Sequence, residues 1–344
     1  MTSNPTGARP AYPRGGATVP VVAALHVAGT GGLAAALALD GGAGAITVAT
    51  GLAAYALGLR HAFDADHIAT IDNTTRRLLR SGRDARGVGL WFSLGHSTVV
   101  LAAALLLTLG AGALAPMLED ESSPLHRATG VWGPLVSGTF LLAIAAVNLV
   151  MLRRALRHRA GSAPGDGRHP AGGPVSWALR RFGWATQRPS RMYAVGLVFG
   201  LGFDTATEIG LMAITASAAL GQVAWYAALP LALLFAAGMS LLDSAQGAAT
   251  RRVYAHTGAG AGTAGPRPRA GVRYDVVVTG VSALAALGIG TVTLLQVAAE
   301  HAPWLGGLPV DAISLEPYGV VLTVVLLAVW GGGLLALRQP RREA

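Results

Sequence analysis

The residues best equipped for chemistry fall in one short stretch, Arg60-His61-Ala62-Phe63-Asp64-Ala65-Asp66-His67-Ile68, at the end of an apolar run from Ala45 to Leu59. Imidazole and carboxylate together suit divalent first-row metals such as Ni, Co and Zn. The chain has no cysteine, so disulfides and thiolate clusters are excluded and a metal site must use nitrogen and oxygen donors. On a straight helix His61, Asp64 and His67 occupy an arc of about 120°, Asp66 points roughly opposite Asp64, and the two histidines lie about 9 Å apart along the axis. Metal–ligand bonds are only about 2 Å long. Either the helix is distorted here, or the four residues divide into ligands and groups that support ligands, as when a carboxylate holds a ring N–H and fixes the tautomer. The competing reading is an ion-paired helix end, with Arg60 and the following arginines neutralising the two aspartates.

Further polar groups interrupt later apolar segments. His96 and Ser97 lie about 12 Å into theirs by the helical rise. Asp204 and Glu208 are one turn apart and share a face, with Thr205 and Thr207 adding hydroxyls. Near a bilayer midplane an unpaired carboxylate costs about 2.5–3.5 kcal/mol on insertion scales, so this pair calls for a cation, a proton or water. Asp243 is one more isolated carboxylate, with Met239 beside it as packing. His26 reads as a hydrogen-bonded structural residue ahead of an auxiliary metal contact.

The elements that must position these groups are membrane helices. The 344 residues are 52% hydrophobic and 12% charged, with mean hydropathy +0.50, where soluble domains carry about 25% charged residues. The expected class is an all-α integral membrane protein. Apolar segments near 17–39, 44–71, 88–109, 131–152, 192–220, 223–249, 276–298 and 318–337 give eight transmembrane helices, since about 20 helical residues cross the hydrocarbon core. The first is longer than a signal-peptide core of about 7–15 residues and is read as retained. Residues 1–17 form a disordered tail, 18–338 the eight-helix transmembrane domain with flexible loops at 153–191 and 250–273, and 339–344 a second tail.

All 26 basic residues are arginine, and 24 of them fall in the two tails and the 2–3, 4–5 and 6–7 loops. The positive-inside rule then puts both termini in the cytoplasm. The net charge of +9 belongs to topology and not to nucleic acid, because the arginines lack aromatic interleaving. No Gly-rich Lys-Ser/Thr phosphate loop occurs, so no ATPase domain is expected in this chain.

The stretch Arg60 to Ile68 resembles the second-helix signature of the nickel/cobalt transporter family, a His, four residues, then Asp-His. Leu94-Gly95-His96-Ser97-Thr98-Val99-Val100, Leu201-Gly202-Phe203-Asp204-Thr205-Ala206-Thr207-Glu208 and Gly238-Met239-Ser240-Leu241-Leu242-Asp243 resemble its other signatures. The last departs from the pattern Asp-Thr-x-Asp-Gly, since Gln246 stands where the second Asp is expected. The resemblance implies a secondary carrier of the cytoplasmic membrane that imports Ni²⁺ or Co²⁺. Its metal-binding signature comprises His61, Asp64, Asp66, His67 and His96, and its pathway includes Ser97, Asp204, Thr205, Thr207, Glu208 and Asp243. Its partners would be the ion and the lipid bilayer, with no permanently bound cofactor. Two rivals are an efflux carrier of the same superfamily, disfavoured by a 153–191 loop that is not strongly His-rich, and an intramembrane metallohydrolase, disfavoured by the missing His-Glu-x-x-His.

The arginine partition makes a direct prediction. A cysteine introduced at Ser162 stays unlabelled by an impermeant thiol reagent in intact cells and reacts once the membrane is opened; labelling from outside would reverse the topology.

Overall fold

The computed structural model describes residues 17–41, 46–108, 123–159, 184, 187–201, 228–256, 269–301 and 316–338. Among them the chain is helical, with no strand: α1 (Thr18–Asp40), α2 (Val48–His61), α3 (Ala65–Arg80), α4 (Val88–Thr108), α5 (Pro124–Arg159), a 3-10 turn at Pro189–Arg191, α6 (Met192–Gly200), α7 (Ala228–His256), α8 (Arg269–His301) and α9 (Glu316–Arg338). Five helices, α1, α4, α5, α7 and α8, are long and apolar enough to cross a membrane. The protein is an all-helical integral membrane protein. Three helices run on into the two stretches read as loop: α5 continues through Arg159 in the first, and α7 and α8 extend to His256 and back to Arg269 in the second. The fifth expected segment is described only from Met192 to Leu201.

Residues 44–71, expected as one span, divide into α2 and α3. α2 starts on a capping box, in which the Thr47 side chain accepts from the Thr50 amide and the Thr50 side chain accepts from the Thr47 amide. α3 is packed against five helices, α4, α5, α7, α8 and α9. It is also the most polar helix, yet His67 through Arg76 are all buried. Burial of that kind requires partners. Asp72 lies 2.5 Å from the Arg76 guanidinium and accepts from Thr250 of α7 and Ser282 of α8, each at 3.2 Å. The Asn73 side-chain oxygen takes hydrogen bonds from Arg76 and from Asn148 of α5. Arg80 donates to Tyr254 of α7 and Thr279 of α8. One face of α3 is thereby tied to three helices by polar contacts, and removing one partner of such a buried ion pair costs about 3–5 kcal/mol.

Elsewhere the helices meet through glycine. A Cβ at Gly58 of α2 would collide with the Phe235 carbonyl of α7, and one at Gly238 of α7 would stand 2.6 Å from the Tyr55 carbonyl of α2. At Gly89 it would strike the Asp243 carbonyl, and at Gly95 that of Tyr193. Close backbone approach of this kind is how membrane helices associate where lipid offers no hydrophobic drive. Gly58→Ala and Gly95→Ala are therefore expected to lower the thermal unfolding midpoint of the purified protein by the equivalent of about 1–3 kcal/mol. Gly31→Ala, whose Cβ meets nothing within 4 Å, should leave the midpoint unchanged or slightly raised, because alanine is the better helix former.

Candidate metal centre

The helical ladder is interrupted at Ala62, Phe63 and Asp64. Phe63 N–H donates to the Arg60 carbonyl and Asp64 N–H to that of His61, both at 2.9 Å. Asp64 then turns extended (φ −62°, ψ 139°) as the residue before α3. These tight bonds keep the amides satisfied, the condition for irregular backbone at membrane depth. Gly319 of α9 packs directly on the Phe63 carbonyl.

The consequence is geometric. His67 now stands on the first turn of a separate helix, and its ring centroid is 4.6 Å from that of His61, half the axial distance that a straight helix imposes. His96 of α4 is the third member, with centroids 4.7 Å from His61 and 5.1 Å from His67. Each residue offers a ring nitrogen within 4.8 Å of the others, and all three are buried. The His61 and His96 Nε2 atoms are 3.0 Å apart. With bonds of about 2.0–2.1 Å, two nitrogens on one ion stand about 2.9 Å apart at a right angle and about 4.1 Å apart when opposite. The three rings need only small adjustments to share an ion.

The carboxylates take different parts. Asp64 Oδ2 is 2.9 Å from His61 Nδ1, the arrangement that leaves Nε2 as the donor atom of His61. Asp66 is half-buried on the first turn of α3, and its Oδ1 accepts from the His67 amide at 2.9 Å; it is not drawn into the group of nitrogens. Asp243 of α7 is fully buried, and its Oδ2 lies 3.7 Å from His67 Nδ1. Neither Asp243 oxygen has a hydrogen-bond partner, and a buried carboxylate left in that state beside three imidazoles is a donor set suited to a cation. Phe92 stacks edge-on against His67 at 4.7 Å and Phe235 tilts against His61 at 5.5 Å, so the walls exclude water and strengthen electrostatic contacts within.

The remaining candidates lie elsewhere. Ser97 is buried with its hydroxyl unpartnered. Both His26 ring nitrogens are engaged, Nδ1 with the Val22 carbonyl at 2.8 Å and Nε2 with the Tyr55 hydroxyl at 3.2 Å, which is the structural role. Gln246 donates to the Ile68 carbonyl at 2.9 Å, a bond that a carboxylate at this position could not make. Asp204, Thr205, Thr207 and Glu208 fall outside the described residues. Sequence reasoning missed Phe92, Phe235 and the Asp72–Arg76 pair; the i, i+4 spacing of that pair was the available signal.

The family model for high-affinity nickel-transport proteins matches residues 47–336. The chain belongs to that family. It is 39% identical over 340 residues to the nickel transporter NicT of Mycobacterium tuberculosis, covering 94% of this chain and 88% of that protein. It is 36% identical over 289 residues to the nickel transporter NixA of Staphylococcus aureus, covering 81% and 82%. To the cobalt transport protein NhlF of Rhodococcus rhodochrous it is 37% identical over 324 residues, covering 91% and 87%. No solved structure matches the chain significantly. This nickel-transport family member is a transporter and not an enzyme, which removes the metallohydrolase reading.

The unequal placement of the four signature residues sets an expected order of effects. His61→Ala and His67→Ala abolish Ni²⁺ binding to the purified protein, and Asp64→Asn weakens it by about 10- to 100-fold, as for other groups that orient a ligand. Asp66→Asn has the smaller effect. Isothermal titration with Ni²⁺ and Co²⁺ checks the series, and wild-type binding by both histidine variants would place the metal elsewhere.

Proposed function

We propose that the protein imports Ni²⁺, Co²⁺ or both across the cytoplasmic membrane, holding the ion between His61, His67 and His96. The observation that carries this reading is the convergence of three buried imidazoles from α2, α3 and α4 around one point. The transport activities named for its relatives support the substrate class, and the N,O donor set accepts either metal. Asp64 would fix the His61 tautomer, and Asp243 would supply negative charge beside His67. Asp204, Thr205, Thr207 and Glu208 would continue the pathway, with Ser97 beside His96. Eight spans with both termini in the cytoplasm remain the topology that the arginine partition supports. The ion exchanges water for imidazole on entry, and binding has to stay weak enough for release.

Cells expressing the protein should accumulate radioactive Ni²⁺ or Co²⁺ above control cells. His67→Ala and Asp243→Asn should insert normally and abolish the gain. Uptake should fall at acid pH, because a protonated imidazole cannot ligate. Reduced accumulation relative to control cells would establish efflux in place of import.

A further inference from the structure

Three threonines on α3 are anomalous. Thr70, Thr74 and Thr75 are at most 1% exposed, and none of their hydroxyls has a hydrogen-bond partner. A helical threonine ordinarily satisfies itself on the carbonyl four residues back. Thr30, Thr98 and Thr323 of this protein do so, at 2.6, 2.7 and 3.0 Å. Each buried hydroxyl left unmade is destabilising by about 1–3 kcal/mol.

Their placement is not random. At 100° and 1.5 Å per residue, Thr70 lies about 60° from the His67 direction and about 4.5 Å further along α3, and Thr74 about 20° and about 10 Å. Thr70 and Thr74 thus continue the face that begins at His67, toward the arginine-rich end of the helix, while Thr75 lies about 80° to its other side, nearer to the Asp72 direction. Asp72 and Arg76 point about 140° and 180° away, and there every polar group described above is matched. Arg76 and Arg80 are held on that far face by Asp72, Tyr254 and Thr279, whereas Arg77 lies about 80° from the His67 direction, on the Thr70 side, about 15 Å further along the helix. Beside the Thr74 direction, Ile71 and Leu78 of α3 join Val88, Phe92 and Met192 in one buried cluster. The Ile71 side chain fills the place where α4 and α7 both present glycine, Gly89 and Gly247.

We propose that Thr70 and Thr74 line the inner half of the ion's path, passing a partly hydrated divalent cation from His67 to the basic end of α3, with Ile71 as the seal in the closed arrangement. The proposal rests on the metal reading of His61, His67 and His96. Neutral hydroxyl oxygens suit this stretch because they substitute for hydration water without the charge that would trap the ion. In the closed arrangement they are buried and dry; opening hydrates them and removes their cost.

The natural absence of cysteine makes the test direct. Thr70→Cys and Thr74→Cys, each the sole cysteine, are treated in oriented membrane vesicles with an impermeant cationic thiosulfonate from either side. Both should react from the arginine-rich side, Ala69→Cys on the opposite helix face should not, and adding Ile71→Ala should speed the reaction at Thr70→Cys, which lies beyond Ile71 from that side, severalfold. Thr74→Val should raise the thermal unfolding midpoint, because it removes an unsatisfied group, and should slow uptake while Ni²⁺ binding to the purified protein is kept. Thr74→Ser should retain the uptake rate. Cysteines unreactive from the arginine-rich side, or wild-type uptake by Thr74→Val, would overturn the path. Labelling needs no metal, so labelled cysteines in a protein whose His61→Ala variant binds Ni²⁺ normally would sink the metal reading alone.

Discussion

A metal ion reaches about 2 Å to each ligand, whereas six helical residues carry the chain about 9 Å. His61 and His67 can meet at one ion only if the backbone between them leaves the helix. It does so at Ala62–Asp64, and the surrounding structure answers the demands of that interruption. The freed amides of Phe63 and Asp64 bond to nearby carbonyls, Asp64 turns its carboxylate to His61 rather than capping α3, and Gly319 lets α9 lie against the exposed Phe63 carbonyl. A break of this kind, with ligands on either side, is the arrangement by which membrane carriers place substrate sites on discontinuous helices.

An interrupted helix of 14 residues and another of 16 have too few apolar turns to hold position alone, and the bundle supplies the restraint by two means. α2 is pressed against α7 where Gly58 and Gly238 face each other's backbones. α3 carries too many polar groups for that and is tied instead by side chains, Asp72 to α7 and α8 and Asn73 to α5. Close packing sets the distance between helices, and directional hydrogen bonds set the rotation of α3 about its axis. Rotation matters more there, because it aims His67 at His61 and away from the Asp72 face.

Much of this was legible in the residues. The composition pointed to a helical membrane protein, the His and Asp spacing to metal chemistry, and the 9 Å axial distance required either a distortion or a division of roles; the distortion is present at Ala62–Asp64. The approach of His96 to His61 and His67 was readable only through its depth, since nothing in the sequence says which helices are neighbours. The engagement of His26 by Val22 and Tyr55 and the aromatic walls at Phe92 and Phe235 depend on tertiary contacts between distant segments and carry no local pattern. The end of the second apolar segment was placed at Ile71 because hydropathy falls beyond it. Hydropathy cannot register α3 as packed against five helices, because its polar residues are buried against other polar residues rather than against water.

The candidate ligands are spread over separately anchored pieces: His61 rides on α2, His67 on α3, His96 on α4 and, beside them, Asp243 on α7. Affinity for one ion then depends on the spacing between helices and not on any one side chain. A shift of α3 by the length of one metal bond removes His67 from the coordination sphere while leaving His61 with Asp64 and α2 with α7. Such a shift is resisted by the polar ties on one face of α3 and opposed by little but apolar packing on the other. The same helix therefore combines a fixed face with a yielding one, and His67 sits on the yielding side. On the proposed reading, that asymmetry would let a site built from strong nitrogen donors release its ion without any change in the protonation or identity of the ligands.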